Sequence, residues 1–140
     1  VLLDYLTGTQ LAGRAVGTTN VIENCGNEAN VSGGSNVGGI LGNSQNYNTT
    51  VAVTGWYNSG SISASDRAGG IIGRYNNSNP RITDCYNTGA VSSSTYAAGI
   101  LAGSSSNISR CYNAGTITGK DASKTGAFTT SSYNSLTDCY

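Results

Sequence analysis

Three stretches of this chain carry nearly the same five residues: Trp56-Tyr57-Asn58-Ser59-Gly60, Cys85-Tyr86-Asn87-Thr88-Gly89 and Cys111-Tyr112-Asn113-Ala114-Gly115. With Cys25 and Cys139 counted as further copies of the first position, the spacing runs from 26 to 31 residues. A repeat of that length constrains the fold before any local propensity does, because equivalent units are built to stack on one another.

A second block recurs between these phrases. Val37-Gly38-Gly39-Ile40-Leu41-Gly42, Ala68-Gly69-Gly70-Ile71-Ile72-Gly73 and Ala97-Ala98-Gly99-Ile100-Leu101-Ala102 align, with Arg14-Ala15-Val16-Gly17 and Thr125-Gly126-Ala127-Phe128 as weaker copies. An aliphatic residue stands three before each Cys or Trp: Ile22, Val53, Ile82, Ile108 and Leu136. Another stands six after it, at Val31, Ile62, Val91 and Ile117. The opening Val1 to Gly8 fits the same frame, with Asp4 in the Cys position and Leu6 in the Asn position.

Each unit therefore holds three short apolar segments separated by Gly, Asn, Ser and Asp turns, and no segment suits a three-turn helix. The pattern predicts an all-β fold: a single-stranded parallel β-helix, or β-solenoid, of about five roughly triangular coils with three short strands each. Parallel crossovers of this kind are usually right-handed, and the sequence leaves the hand of this coil open. Residues 1–140 are expected to form one repeat domain, truncated or uncapped at both ends. Equivalent residues should lie one above another at the backbone-pairing distance of about 4.8 Å. That builds three apolar ladders, led by Ile40, Ile22 and Val31. The spacers change length and so belong on the rim, with bulging turns expected at Asn43 to Thr50, Arg74 to Pro80 and Lys120 to Lys124. Pro80, the one proline, should sit where the ladder needs no donor.

Composition supports this reading. Only 37% of the chain is hydrophobic and 20 residues are Gly, which is thin for a globule and ample for the narrow section of a solenoid. The net charge is zero and no basic run exists, so the electrostatic term that drives nucleic-acid binding is missing. No stretch is long and apolar enough for a transmembrane segment.

Two columns are the candidate functional positions. Cys25, Trp56, Cys85, Cys111 and Cys139 form a core column, read as stacked small residues, with a disulfide between adjacent members left open. A metal is not expected, because His is absent and no coil offers a tetrahedral set. If that column faces inward, alternation brings Asn58, Asn87 and Asn113 inward as well, each able to bond its copy in the next coil. It also turns Tyr57, Tyr86, Tyr112 and Tyr140 outward, as an aromatic row suited to a sugar ring or a protein surface. Gly26 interrupts that row beneath Tyr57.

Catalysis is not expected. Asp84 and Asp138 share a repeat position but have Arg110 between them, and no Ser-His-Asp set or phosphate loop is present. A carbohydrate-active β-helix enzyme is the residual alternative, and it would need a carboxylate pair. No cofactor is implied. Thr116 and Thr118 suggest an ice-binding face, but Ser61-Ile62-Ser63 and Ala90-Val91-Ser92 break the regularity.

The glycine block and the Cys-Tyr-Asn-x-Gly phrase together resemble the GLUG-type repeats of bacterial surface proteins, over nearly the whole chain. Such repeats occur in large adhesin-like wall proteins and beside the protease domain of immunoglobulin A-cleaving peptidases. The resemblance implies an extracellular or cell-surface structural or adhesive module, and the outward aromatic row makes a glycan or a host or cell-surface protein its candidate partner. The alternative is a filament subunit that associates head-to-tail through open coil edges.

Overall fold

The computed structural model describes residues 12–15, 19–44, 50–76, 80–132 and 135–140. The expected opening repeat at Val1 to Gly8, the Val16-Gly17 end of one weak copy, and the interiors of two expected turns at 45–49 and 77–79 lie outside the described residues.

Every strand pairing among the described residues is parallel. Consecutive copies pair across coils, so the chain is a parallel β-solenoid. The three apolar segments of each coil subdivide into five stacked sheets. A glycine sheet contains Val37–Gly38, Arg67–Gly69, Tyr96–Ala98 and Thr125–Gly126. A leucine sheet follows, of Ala12–Ala15, Leu41–Ser44 and Ile72–Tyr75. An isoleucine sheet holds Thr19–Glu23, Thr50–Thr54, Arg81–Thr83, Asn107–Ser109 and Ser135–Thr137. A tyrosine sheet holds Gly26–Asn27, Tyr57–Asn58, Tyr86–Asn87 and Tyr112–Asn113. The coil closes with a serine sheet of Val31–Gly33, Ile62–Ala64, Val91–Ser93 and Ile117–Gly119.

Register follows the sequence repeat. Ile82 pairs with Val53 on one side and Ile108 on the other, and Val91 with Ile62 and Ile117. The backbone N–H of Ile40 donates to Ile71, that of Ile71 to Ile100 and that of Ile100 to Phe128, at 3.1–3.2 Å.

The strands are short because a left-handed residue ends each member of the isoleucine sheet. Asn24, Gly55, Asp84, Arg110 and Asp138 have φ of 51°, 71°, 56°, 50° and 52°, and each immediately precedes a Cys or Trp. Four of the five are residue types that enter this region at low cost, whereas a long side chain there is held against about 1–2 kcal/mol of steric strain. Arg110 is the exception, and its guanidinium makes two 2.7 Å hydrogen bonds to the Asp84 carboxylate in the preceding coil.

Two of the expected rim turns begin later than the sequence suggests. Asn43 and Ser44 belong to the leucine sheet, in register with Arg74 and Tyr75. Tyr75 is 1% exposed, so alternation continues two residues past the apolar run and keeps the strand on the core. The third turn does bulge, through a 3-10 helix at Ala122–Lys124. Pro80 directly precedes Arg81–Thr83, outside the paired strand residues, and its carbonyl accepts from the Asn107 N–H at 3.1 Å.

The interior divides into two apolar lobes. The larger runs through Ile40, Leu41, Trp56, Ile71, Ile82 and Cys85 and their copies, and the smaller through Val31, Val37, Ile62, Ala68 and Val91. Between them the coil is pinched rather than triangular. A Cβ added to Gly70 would stand 2.6 Å from the Asn87 side chain, and one on Gly39 or Gly99 would meet Asn58 or Asn113 at 2.8 and 2.5 Å. The second glycine of the glycine block thus exists to seat the asparagine of the opposite wall.

Those asparagines form a continuous ladder. Asn27 Nδ2 donates to Asn58 Oδ1 at 2.7 Å, Asn58 to Asn87 at 2.7 Å and Asn87 to Asn113 at 2.8 Å. The remaining proton of each amide goes to the carbonyl two residues on, at Ala29, Gly60, Gly89 and Gly115. Asn58 and Asn87 are fully buried, and satisfying every amide atom this way avoids a penalty of about 1–3 kcal/mol for each group left unpaired.

Glycine substitutions separate this seating from ordinary glycine flexibility. Gly70→Ala would put its Cβ 2.1 Å from the Gly99 carbonyl as well as against Asn87, whereas a Cβ at Gly34 meets nothing within 4 Å. In denaturant unfolding, Gly70→Ala is expected to lose about 3 kcal/mol, while Gly34→Ala stays within about 0.5–1 kcal/mol of the parent. Equal effects would contradict the waist.

Candidate binding surface

The core column and the outward row are set by the same corner. After each left-handed residue the chain turns a Cys or Trp inward, the next residue outward and the Asn inward. Trp56, Cys85 and Cys111 are at most 1% exposed, and Cys25 and Cys139 are half-buried against the same lobe. Tyr86, Tyr112 and Tyr140 are 43%, 41% and 78% exposed, and Tyr57 is half-buried.

All four cysteines are free thiols. Each Sγ lies 3.2–3.3 Å from the carbonyl two residues back: Glu23, Thr83, Ser109 and Thr137 for Cys25, Cys85, Cys111 and Cys139. Cys111 and Cys139 also lie 3.8 and 3.6 Å from the carbonyls of Ile82 and Ile108 in the preceding coil. A thiol is a small apolar group with one weak donor, which suits a corner that brings a carbonyl under the side chain. The hydrogen bond from Cys85 to Cys111, with burial, pushes the Cys85 thiol far above its ordinary range, and the same bond lowers Cys111. Cys85 and Cys111 are each only 1% exposed and pack in the larger lobe, so both inner thiols serve as packing groups.

The tyrosine row differs from a set of open aromatic faces. The Tyr57 and Tyr86 rings stack at 5.3 Å between centroids, 11° from parallel, so each covers a face of the other and presents its edge and hydroxyl. Gly26, which interrupts the row in the sequence, is the seat of the Tyr57 ring. A Cβ there would stand 2.0 Å from Tyr57 Cε1. The Tyr57 hydroxyl donates to Glu28 at 3.1 Å, which raises its pKa. Tyr112 and Tyr140 meet at 5.7 Å with a 53° tilt, and Tyr140 offers the most open ring of the row.

Charge flanks this row. The Asp84 carboxyl is held below its usual range by its hydrogen bonds to Arg110, and Asp138 adds to the field on Arg110. The Asp84–Arg110 pair is solvent-exposed, and the Asp84 carboxylate is taken up by both hydrogen bonds to the guanidinium. Among the described residues no group of three or more His, Cys, Asp or Glu could hold a metal ion, and no helix is long and apolar enough to cross a membrane.

A second feature escaped the sequence reading. Arg67, Tyr96 and Lys124 occupy successive coils at the corner between the serine and glycine sheets. The Arg67 guanidinium carbon lies 4.6 Å from the Tyr96 ring centroid and Lys124 Nζ 5.3 Å from it. This cation–π stack was hidden because the three residues share no letter and the turn before Lys124 is longer than its copies.

Compared with known protein families, curated proteins and solved structures, the chain matches none.

Native-state alkylation tests the thiol assignment. Cys25 and Cys139 should react before Cys85 and Cys111, and all four should react in denaturant without reductant. Two thiols that appear only after reduction would show a disulfide and contradict the assignment.

Proposed function

We propose that this chain is a non-enzymatic structural and adhesive repeat module of a bacterial surface protein, working outside the cell. One observation carries the reading: the repeated side chains are engaged in stacking. The inward Ile, Val, Cys and Asn positions build the lobes and the amide ladder, and the repeated glycines give that ladder its seat. The similarity of the glycine block and the Cys-Tyr-Asn-x-Gly phrase to GLUG-type repeats supports the surface location. What remains for a partner on this face is the open end of the tyrosine row, Tyr112 and Tyr140. These present apolar area with a polar tip, as suits a glycan or a host protein.

The test is binding of the intact chain to arrayed glycans and host-cell surface proteins. Tyr112→Ala with Tyr140→Ala should lower binding at least about fivefold while the melting temperature stays within a few degrees. Unchanged binding, or hydrolysis of a bound glycan, would count against the reading.

A second reading, head-to-tail self-association, is favoured by one edge. Ser135–Thr137 pairs only with Asn107–Ser109 among the described residues, and Leu136 on it is 49% exposed. Unpaired parallel edges with apolar side chains are templates for another strand. Sedimentation at rising concentration should show growing assemblies that Leu136→Asp abolishes. A monomer at every concentration would end this reading.

A further inference from the structure

The two lysines of this chain, Lys120 and Lys124, lie in a single turn. In the other coils the serine sheet passes to the glycine sheet through two or three residues, Gly34-Ser35-Asn36, Ser65-Asp66 and Ser94-Thr95. Here five intervene, and the Ala122–Lys124 3-10 helix forms an overhanging lip. Two shallow hollows lie against it. One of about 350 Å³ is lined by Ser63, Ser92, Ser94, Thr118 and Lys120. The other, of about 530 Å³, is lined by Ser94, Thr95, Lys120, Asp121 and Lys124. Ser94 and Lys120 belong to both, so the hollows form one groove.

Its floor is a row of hydroxyls held at strand spacing. Ser63, Ser92 and Thr118 are in register on adjacent strands and all three are exposed. The lip is fixed rather than loose. The Asp121 carboxylate accepts from Ser123 N at 2.9 Å and Ser123 Oγ at 2.7 Å, and the Asp121 carbonyl accepts from Thr125 Oγ1 at 2.8 Å. Tyr96 anchors Lys124 from below.

The charge is uneven. Asp66 is paired with Arg67, and Asp121 is committed to Ser123 and, at 4.0 Å, to Lys124. Lys120 makes no ion pair among the described residues and stands where the hollows meet. The floor sets aligned hydroxyls beside the small side chain of Ala64, with Ala122 on the lip and no aromatic or branched aliphatic residue in the lining, and so suits a hydrated polyhydroxyl ligand better than an apolar one. The unmatched ammonium selects an anionic group on it.

We propose that this groove binds an acidic saccharide, a polyhydroxylated chain bearing carboxylate or sulfate groups. Lys120 pairs with the anion, and Ser92, Ser94 and Thr118 exchange hydrogen bonds with sugar hydroxyls. The site lies apart from the tyrosine row and stands or falls without it. The hydrogen bonds of Asp121 hold the lip's backbone, whereas the exposed Lys120 side chain is ordered on binding, and because the groove is open, the ionic contact weakens with salt.

The test is a titration of the isotopically labelled intact chain, followed by amide resonances. The probes are tetragalacturonate, a sulfated dextran oligomer and neutral maltotetraose. Shifts should concentrate at Ser92 to Thr95 and Gly119 to Lys124 with at least one charged probe and be absent with maltotetraose. The two charged arms distinguish carboxylate from sulfate. Lys120→Gln should weaken binding about fivefold, while Arg81→Gln, which removes an exposed charge on the isoleucine sheet, should leave it unchanged. The proposal is overturned if neither charged probe shifts these residues, if maltotetraose shifts them equally, or if Arg81→Gln weakens binding as much as Lys120→Gln.

Discussion

The asparagine seated against glycine across the coil is the contact on which the rest of this solenoid depends. A single parallel coil of this width cannot fill its interior with apolar side chains alone, because the two walls come too close at the middle. The chain resolves this by removing side chains from one wall, at Gly39, Gly70 and Gly99, and placing a flat amide on the other. The amide would be a liability if its atoms were unpaired. It is stable because each copy bonds the next coil with one proton and its own turn with the other. The two repeated phrases of the sequence are therefore halves of one device, and neither makes sense without its counterpart.

That device explains why the coil tolerates variable spacers but not variable walls. The ladder demands that Asn58, Asn87 and Asn113 stay in register, and the left-handed corners at Asn24, Gly55, Asp84, Arg110 and Asp138 deliver the chain to it at a fixed angle. Length differences fall outside those points. The clearest case is the turn ahead of Lys124, where added residues form a capped lip and leave the strands on either side paired in register. Function in such a molecule collects on the outside, in the outward residues of each sheet and in the turns that differ from their copies. The proposed binding surfaces, the tyrosine row and the lysine lip, are one example of each.

Much of this was legible in the sequence, and the reasons are specific. Periodicity exposed the parallel stacking, the Ile and Val ladders and the inward Asn, because in-register stacking repeats the same side chain in the same place. The pinch at the waist was not legible. Glycine pairs read as turns, and nothing in a linear sequence says that Gly70 faces Asn87 across the core. The extra strand pairing at Arg74 and Tyr75 was missed because polar letters hid an alternation that buries Tyr75. The tyrosine row was located by alternation, but its ring geometry was not. Gly26 looked like a gap and is instead the platform for Tyr57. The cation–π corner involves three unlike residues, Arg67, Tyr96 and Lys124, so no repeated letter marks it in the sequence.

The most direct measurement of the central claim is hydrogen exchange of the side-chain amides of Asn58 and Asn87, resolved by nuclear magnetic resonance. If these amides form the buried ladder at the waist, their Nδ2 protons exchange only when the coil opens, at rates close to those of the core backbone amides of Ile71 and Ile82. Exchange at the rate of a free asparagine side chain, in a chain whose core backbone amides remain protected, would contradict the account.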